Sequence, residues 1–435
     1  MKLLYKSTSV NSYSVATTLS KFFDELDEGG RFYCNIARAN PPAAYLSRAG
    51  EWSDPWDTVV PSGWEIPLFD LKFNLSFEEV TDRRAMDIKN IIDQTGKNCV
   101  VFYSGGIDST VVMASLIKNL GQEYLEKIII SMSADSIIEN PYFYTNHIEG
   151  KFKIIDSSKN FYSDFIKNKQ HFCISADLGD FIYGTELGVK LYPQMKYLEE
   201  TMQTAGRKNL SHLYNKVSDS NTHYSEYRDI LIYYFNTALK RGINSLKTIP
   251  YVPQNISSEN SHDANFGHLF YEKIHNNIKS VNVPIYSLHD FFWWSMFNPR
   301  FVWGAVRPAM VYGLNDNFKS ILTEDIISWF GSLDYQQWSM HNNNNGEKLK
   351  GITQSTYKWA SKCYLHKFDK NDFYFFNKIK MPSMPVIIAR VYKQNWKDLD
   401  TRWALDENYR VLKIDQPEVK CYFEAGLKNY KIDWV

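Results

Sequence analysis

Apolar and polar positions along the middle of the chain follow two different periods, and each change of period marks an element. "SFEEVTDRRAMDIKNIIDQTG" carries its apolar residues at helical spacing, with Ser76 placed to cap the first turn, Glu79 three positions later and Gly96 to close it. That pattern predicts a helix. Cys99 to Tyr103 follows as an unbroken apolar run, the mark of a strand buried on both faces. The same reading predicts Thr110 to Leu120 as helix, Lys127 to Ser133 as strand, Tyr142 to His147 as short helix and Phe152 to Ile155 as strand. Phe161 to Lys169 then reads as helix and His171 to Ser175 as strand. Strands alternating with helices predict an α/β fold, a Rossmann-like, doubly wound parallel sheet.

The flanks are less regular. Residues 1 to 75 hold a helical stretch, Thr17 to Leu26, and then "NPPAAYLSRAGEWSDPWDTVVPSGWEIP", whose prolines exclude one regular element. We treat them as a small N-terminal region. The α/β core spans 76–188, a mostly helical part spans 189–390, and 391–435 form a C-terminal tail; "MPVIIARVYK" near that boundary is β-like. "HNNNNGEKLKG" reads as a loop of turn-formers.

Composition narrows the class. With 435 residues, 44 % of them hydrophobic, the chain can bury a sizeable core. Lys+Arg and Asp+Glu are both 49, which argues against a surface built to neutralise nucleic-acid phosphates. The five cysteines (Cys34, Cys99, Cys173, Cys363, Cys421) are scattered and form no CxxC pair, so neither a disulfide framework nor a zinc site is signalled, and a reducing cytoplasm fits. The N-terminus lacks the apolar segment of a signal peptide and no run of about 18 apolar residues occurs, so no membrane association is expected. Aromatics reach 16 %, and clusters such as Phe291-Phe292-Trp293-Trp294 read as core or interface; a homo-oligomer would use the excess.

The chemistry concentrates in "VVFYSGGIDSTVVMASLI". A glycine pair between a buried strand and a helix admits unusual dihedrals and close approach of a ligand to backbone N–H groups, and the helix N-terminus adds donors and a positive dipole end. Ser104 to Thr110 therefore reads as a phosphate cradle, with the hydroxyls of Ser104, Ser109 and Thr110 as further donors. Asp108 is out of place beside a bare anion. A carboxylate there makes sense if Mg²⁺ lies between it and the phosphate; the plainer alternative is a tight turn with a capping aspartate. A second acidic turn, "ADLGDFIYGT", follows the strand "HFCIS", and in a parallel sheet its end lies on the same edge as the first. Asp108 and Asp180 could then hold Mg²⁺ from two sides.

The string SGGIDST resembles the pyrophosphate loop of the N-type ATP pyrophosphatases and differs from a Walker A loop, which needs Gly-Lys-Ser/Thr. "SADLGDFIYGT" resembles the second signature of the asparagine synthetase and β-lactam synthetase branch, with Ala176 and Leu178 in place of glycines, Phe181 in place of a glutamate and Thr185 in place of a second glycine. The resemblance implies an adenine nucleotide alpha hydrolase-like fold and cleavage of ATP between the α- and β-phosphates. It implies ATP and pyrophosphate binding by Ser104, Gly105, Gly106, Ile107, Asp108, Ser109, Thr110, Ser131, Ser175 and Gly179, with adenine against the backbone of Ile130 to Ser133. Asp108 and Asp180 match the magnesium aspartates, and Asp177 matches the acid that handles the adenylated intermediate.

Downstream, "SILTEDIISWF" resembles the family's "PFLD" helix start and "YKWASK" its Lys-x-x-Leu-Arg helix, which makes Lys358 a candidate. Lys378 of "NKIKMPS" falls on the late catalytic lysine, with Lys380 as the fallback. Such a lysine stabilises charge developing on phosphate oxygens. Arg300 and Arg307 are conceivable carboxylate clamps.

Residue 2 is Lys and the first cysteine is Cys34, so no N-terminal glutaminase is expected. The expected activity is an AMP- and pyrophosphate-forming ligase that adenylates a small carboxylate and passes it to ammonia, to an amine, or to an amine delivered by a separate partner. Other adenylating enzymes of the superfamily, acting on nucleobases, NAD precursors or tRNA, and a degenerate nucleotide-binding scaffold are the rival readings.

Overall fold

The structure is a computed structural model that describes residues 35, 48, 65–132, 134–156, 170–183, 228–247, 266–280, 283, 285, 288–300, 326–342 and 358–375. Helix α1 (Phe77–Thr95) starts and stops where its sequence predicts. The Glu79 N–H donates to the Ser76 hydroxyl at 3.2 Å, the Ser76 N–H donates back to the Glu79 carboxylate at 2.8 Å, and Gly96 closes the helix with φ 66°. These bonds satisfy amide donors that a helix start otherwise leaves open. Its buried stripe is Phe77, Val80, Ala85, Ile88 and Ile92.

Strands β1 (Asn98–Phe102), β2 (Ile128–Met132), β3 (Lys153–Asp156), β4 (His171–Ser175) and β5 (Ile326–Ser328) form one sheet in the order β3-β2-β1-β4-β5, every pair parallel. The chain runs outward from β1 to β3, then returns to the far side of β1 for β4. The order therefore reverses between β1 and β4, and at such a reversal the connections leave a crevice at the carboxyl ends of the strands. Val100, Val101, Ile128, Ile130, Phe172, Cys173 and Ile174 are all buried, as continuous apolar runs in a parallel sheet should be. Helix α2 (Ile107–Asn119) leaves β1 through the glycine turn and packs between α1 and α11 (Trp359–Asp369); the short α3 (Gln122–Leu125) leads to β2.

Three local differences from the sequence expectations have physical reasons. Helix α2 begins at Ile107, three residues before the predicted Thr110, because extended Gly106 acts directly as its N-cap. The short helix expected over Tyr142 to His147 is split into α5 (Pro141–Phe143), capped by the Asn140 side chain, and a π-turn, Tyr144–Ile148, while α4 (Ala134–Glu139) forms just before it. The resemblance of "SILTEDIISWF" to a helix start is overturned where the segment is described: Ile326–Ser328 is a strand, because it pairs with the open edge of β4, and a 3₁₀ turn, Trp329–Gly331, follows.

After β4 come α6 (Gly179–Tyr183), α7 (Arg228–Lys247), α8 (Phe266–Ser280), α9 (Leu288–Ser295) with a π-turn at Met296–Arg300, and α10 (Leu333–Asn342). Phe291, Trp293 and Trp294 are buried, with Trp293 stacked on Phe297 at 4.9 Å; the Trp293 indole donates to the Ser339 hydroxyl and the Trp294 indole to the Asn277 side chain, both at 2.8 Å. This part of the aromatic excess is core. Among the described residues no helix is long and apolar enough to cross a membrane. Thr17 to Leu26, Phe161 to Lys169, Arg307 and the β-like "MPVIIARVYK" lie outside the described residues, as does all of "HNNNNGEKLKG" after Asn342.

Candidate active site at the carboxyl ends of β1 and β4

The first loop is built by its small residues. Gly105 has φ 78°, and a Cβ added there would stand 2.2 Å from the Ser136 carbonyl oxygen of α4, so both the dihedral and the space require glycine. The hydroxyls turn inward. Ser109 Oγ donates to the Gly106 carbonyl at 3.1 Å, Thr110 Oγ1 donates to the same oxygen at 2.8 Å, and Ser104 Oγ accepts the Gly106 N–H at 3.2 Å. The turn is thereby cross-tied to the first turn of α2. Ile107 is buried in the core, and Ser109 and Thr110 are buried as well.

Asp108 stands in the first turn of α2 and Asp180 in the first turn of α6, each at the end of a strand bordering the reversal. Both carboxylates converge on one cation, the ammonium of Lys358: Nζ is paired with Asp108 Oδ2 and lies 2.5 Å from Asp180 Oδ1. The lysine side chain is 10 % exposed, the two aspartates 17 % and 30 %. Burial works against charge on the Lys358 ammonium, but the two carboxylates outweigh it and hold its pKa above the ordinary lysine value. It is a cation in this site.

The approach of the two loops is as close as atoms allow. A Cβ on Gly179 would lie 2.2 Å from Asp108 Cγ and 2.5 Å from its Oδ1. Gly179 thus serves the site as an absence of side chain. Lys358 itself has φ 57°, a left-handed conformation that costs a residue with a Cβ about 1–2 kcal/mol, and it sits immediately before α11. That helix is pinned to the second loop by Tyr183: the Ser361 N–H donates to the Tyr183 hydroxyl at 2.9 Å and the two hydroxyls lie 2.7 Å apart. Burial pushes the Tyr183 pKa well above normal, so its hydroxyl stays neutral.

The other candidates lie around this centre or outside it. Ser131 and Ser175 are buried at the ends of β2 and β4, and Ser175 Oγ accepts the Asp177 N–H at 3.2 Å, which shapes the second loop. Arg300 ends the π-turn. Lys378, Lys380 and Ser133 lie outside the described residues. Two residues were missed from sequence. Tyr183 follows Asp180 by three positions in "GDFIYG", a spacing that could have placed it on the same short helix. Glu139 is buried against the glycine pair, its Oε1 3.5 Å from where a Gly106 Cβ would be; only the fold brings it there.

Two carboxylates on one cation are a fair fit to the Mg²⁺ that the resemblance implies, with Nζ standing in for the metal. Mg²⁺ takes one or two carboxylates and completes its shell with water and phosphate oxygens. Among the described residues no group of three or more His, Cys, Asp or Glu is placed to hold a metal alone. No protein-family model, no curated protein and no solved structure matches this chain.

Proposed function

We propose that the chain is an ATP-dependent ligase that forms AMP and pyrophosphate, adenylating a small carboxylate and passing it to ammonia or an amine, on a doubly wound sheet like that of the N-type ATP pyrophosphatases. The observation that carries the reading is the meeting of Asp108 and Asp180 on one cation position, at neighbouring strand ends where the sheet order reverses. A pyrophosphate leaving group is polyanionic, and acids gather beside it only where cations are held. Asp108 and Asp180 would hold Mg²⁺, whose positive charge would draw off the negative charge of a departing pyrophosphate.

The chain's own residues supply position and charge. The turn Ser104 to Thr110, rigid through its internal hydrogen bonds, presents the start of α2 to the phosphates. Lys358 brings a positive charge to the same place, the kind of electrostatic contribution that acts on charge as it develops. Asp177 stands on the adjacent loop for the adenylated intermediate.

The test is release of AMP and pyrophosphate from MgATP with a panel of carboxylates and amines, comparing wild type with Asp108→Ala and Asp180→Ala. Isotope exchange between pyrophosphate and ATP should appear only with the acid that is adenylated, and both variants should lose it by at least about a hundredfold, the loss typical when one preorganised electrostatic group is removed. A nucleotide-binding scaffold is the second reading, favoured by the way Lys358 already neutralises both acids; nucleotide binding without cleavage under any pairing would select it.

A further inference from the structure

Lys358 sits at the one point that both acids address. The side chain reaches it from the residue preceding α11, whose start is held by the Lys362 N–H donating to the Lys358 carbonyl at 3.0 Å and by Ser361 on Tyr183. Leu178, Ile182 and Tyr183, which flank Asp180 in the chain, are all buried. An ammonium and a divalent cation placed there together would set three positive charges against two negative ones in a confined space. One must leave.

We propose that Lys358 is a resident counter-ion that a divalent cation displaces, so that the site takes up metal strongly only when a phosphate ligand arrives with it to receive the released ammonium. The inference rests on the reading of Asp108 and Asp180 as metal carboxylates, and it concerns how that site is regulated. A metal arriving alone has to break a largely desolvated ion pair and gains two carboxylates in return, too few ligands to bind it well. When pyrophosphate or a nucleotide accompanies it, the phosphate oxygens fill the metal's shell and also offer Lys358 a new anion. The backbone of Lys358 stays where α11 holds it, and the four-carbon stem makes the swing. Without metal, the same lysine keeps Asp108 and Asp180 from repelling each other.

Mn²⁺ is the probe, added to the full chain without nucleotide, with the free ion counted by electron paramagnetic resonance. Wild type should bind it weakly, Lys358→Met at least ten-fold more tightly, and Lys358→Arg, which keeps a cation, as weakly as wild type. Pyrophosphate should tighten Mn²⁺ binding to wild type at least ten-fold and to Lys358→Met much less. Equal Mn²⁺ affinity in wild type and a folded Lys358→Met overturns the proposal. Should that variant fail to fold, the wild-type chain decides: labelling of the Lys358 amine by an amine-reactive ester, read by peptide mass spectrometry, should rise several-fold once Mn²⁺ is raised until electron paramagnetic resonance shows the site filled, and an unchanged rate at that point overturns the exchange. Neither measurement needs turnover. ATP cleavage that fails beside a positive Mn²⁺ result would sink the ligase reading alone, and intact cleavage beside a negative one would sink only the exchange.

Discussion

A lysine that answers two aspartates is stable only as part of the trio. In a fully buried pair, removing one partner costs about 3–5 kcal/mol; Asp180 keeps 30 % exposure, so for Lys358→Met we expect a loss of about 2–3 kcal/mol in urea denaturation. Millimolar Mg²⁺ should restore part of it, since a metal can take over the neutralising role. An Mg²⁺ ion about 4 Å from the wild-type ammonium would instead meet a repulsion of about 8 kcal/mol at an effective dielectric near 20, which is why the lysine has to move. Gly179→Ala attacks the same trio sterically: its methyl would stand 2.2 Å from Asp108 Cγ. Overpacking of that kind typically costs ~1–3 kcal/mol, and thermal denaturation together with loss of pyrophosphate exchange would record it.

The elements deliver these residues with different legibility. Helix α1 is written locally: its capping residues and its apolar stripe lie within twenty positions, so Ser76→Ala should cost about 1 kcal/mol in chemical denaturation through the lost cap. β1, β2, β3 and β4 are equally legible because each is a short apolar run set off by turn residues, and they match the pattern to within one or two positions. β5 is not, since Ile326–Ser328 offers three residues and no period; it is a strand only because β4 has an edge to pair. The same holds for the site. That Asp108 and Asp180 meet follows from the rule that parallel strand ends share an edge, whereas "YKWASK" marks Lys358 only as a candidate by resemblance, and its insertion between the two acids, 250 positions from Asp108, is fixed by how α11 docks. Tyr183 makes that docking specific. In Tyr183→Phe the Ser361 N–H loses its acceptor, and amide hydrogen exchange at Ser361 and Lys362 should quicken while the far end of α11 stays protected.

At the scale of the molecule, α1, α2 and α11 are tied on their outer face by charge: Glu78 accepts from Lys367 at 2.6 Å and from Lys118 at 3.0 Å, and Lys118 also reaches Asp82 at 2.7 Å. The hydrogen bonds from Lys367 and then Lys118 hold the Glu78 carboxyl below the ordinary glutamate range. A carboxyl with a depressed folded pKa contributes stability that is full above its unfolded value, near 4.3, and is lost as pH falls through the folded one. Stability should therefore decline on acidification below about pH 5, less in high salt because these groups are partly solvated, and Glu78→Gln should flatten that limb of the pH curve measured by urea midpoint. The outermost strand has a different consequence, one of timing. β4 is complete once Ser175 has been made, but its partner arrives only after residues 176–325, 150 positions later. At ~5–20 residues per second that interval is roughly eight to thirty seconds, during which the nascent chain carries an unpaired parallel edge of apolar residues, open to any neighbouring strand. A chain ending before Ile326 should stay in that condition permanently, aggregating on release or requiring a chaperone for solubility.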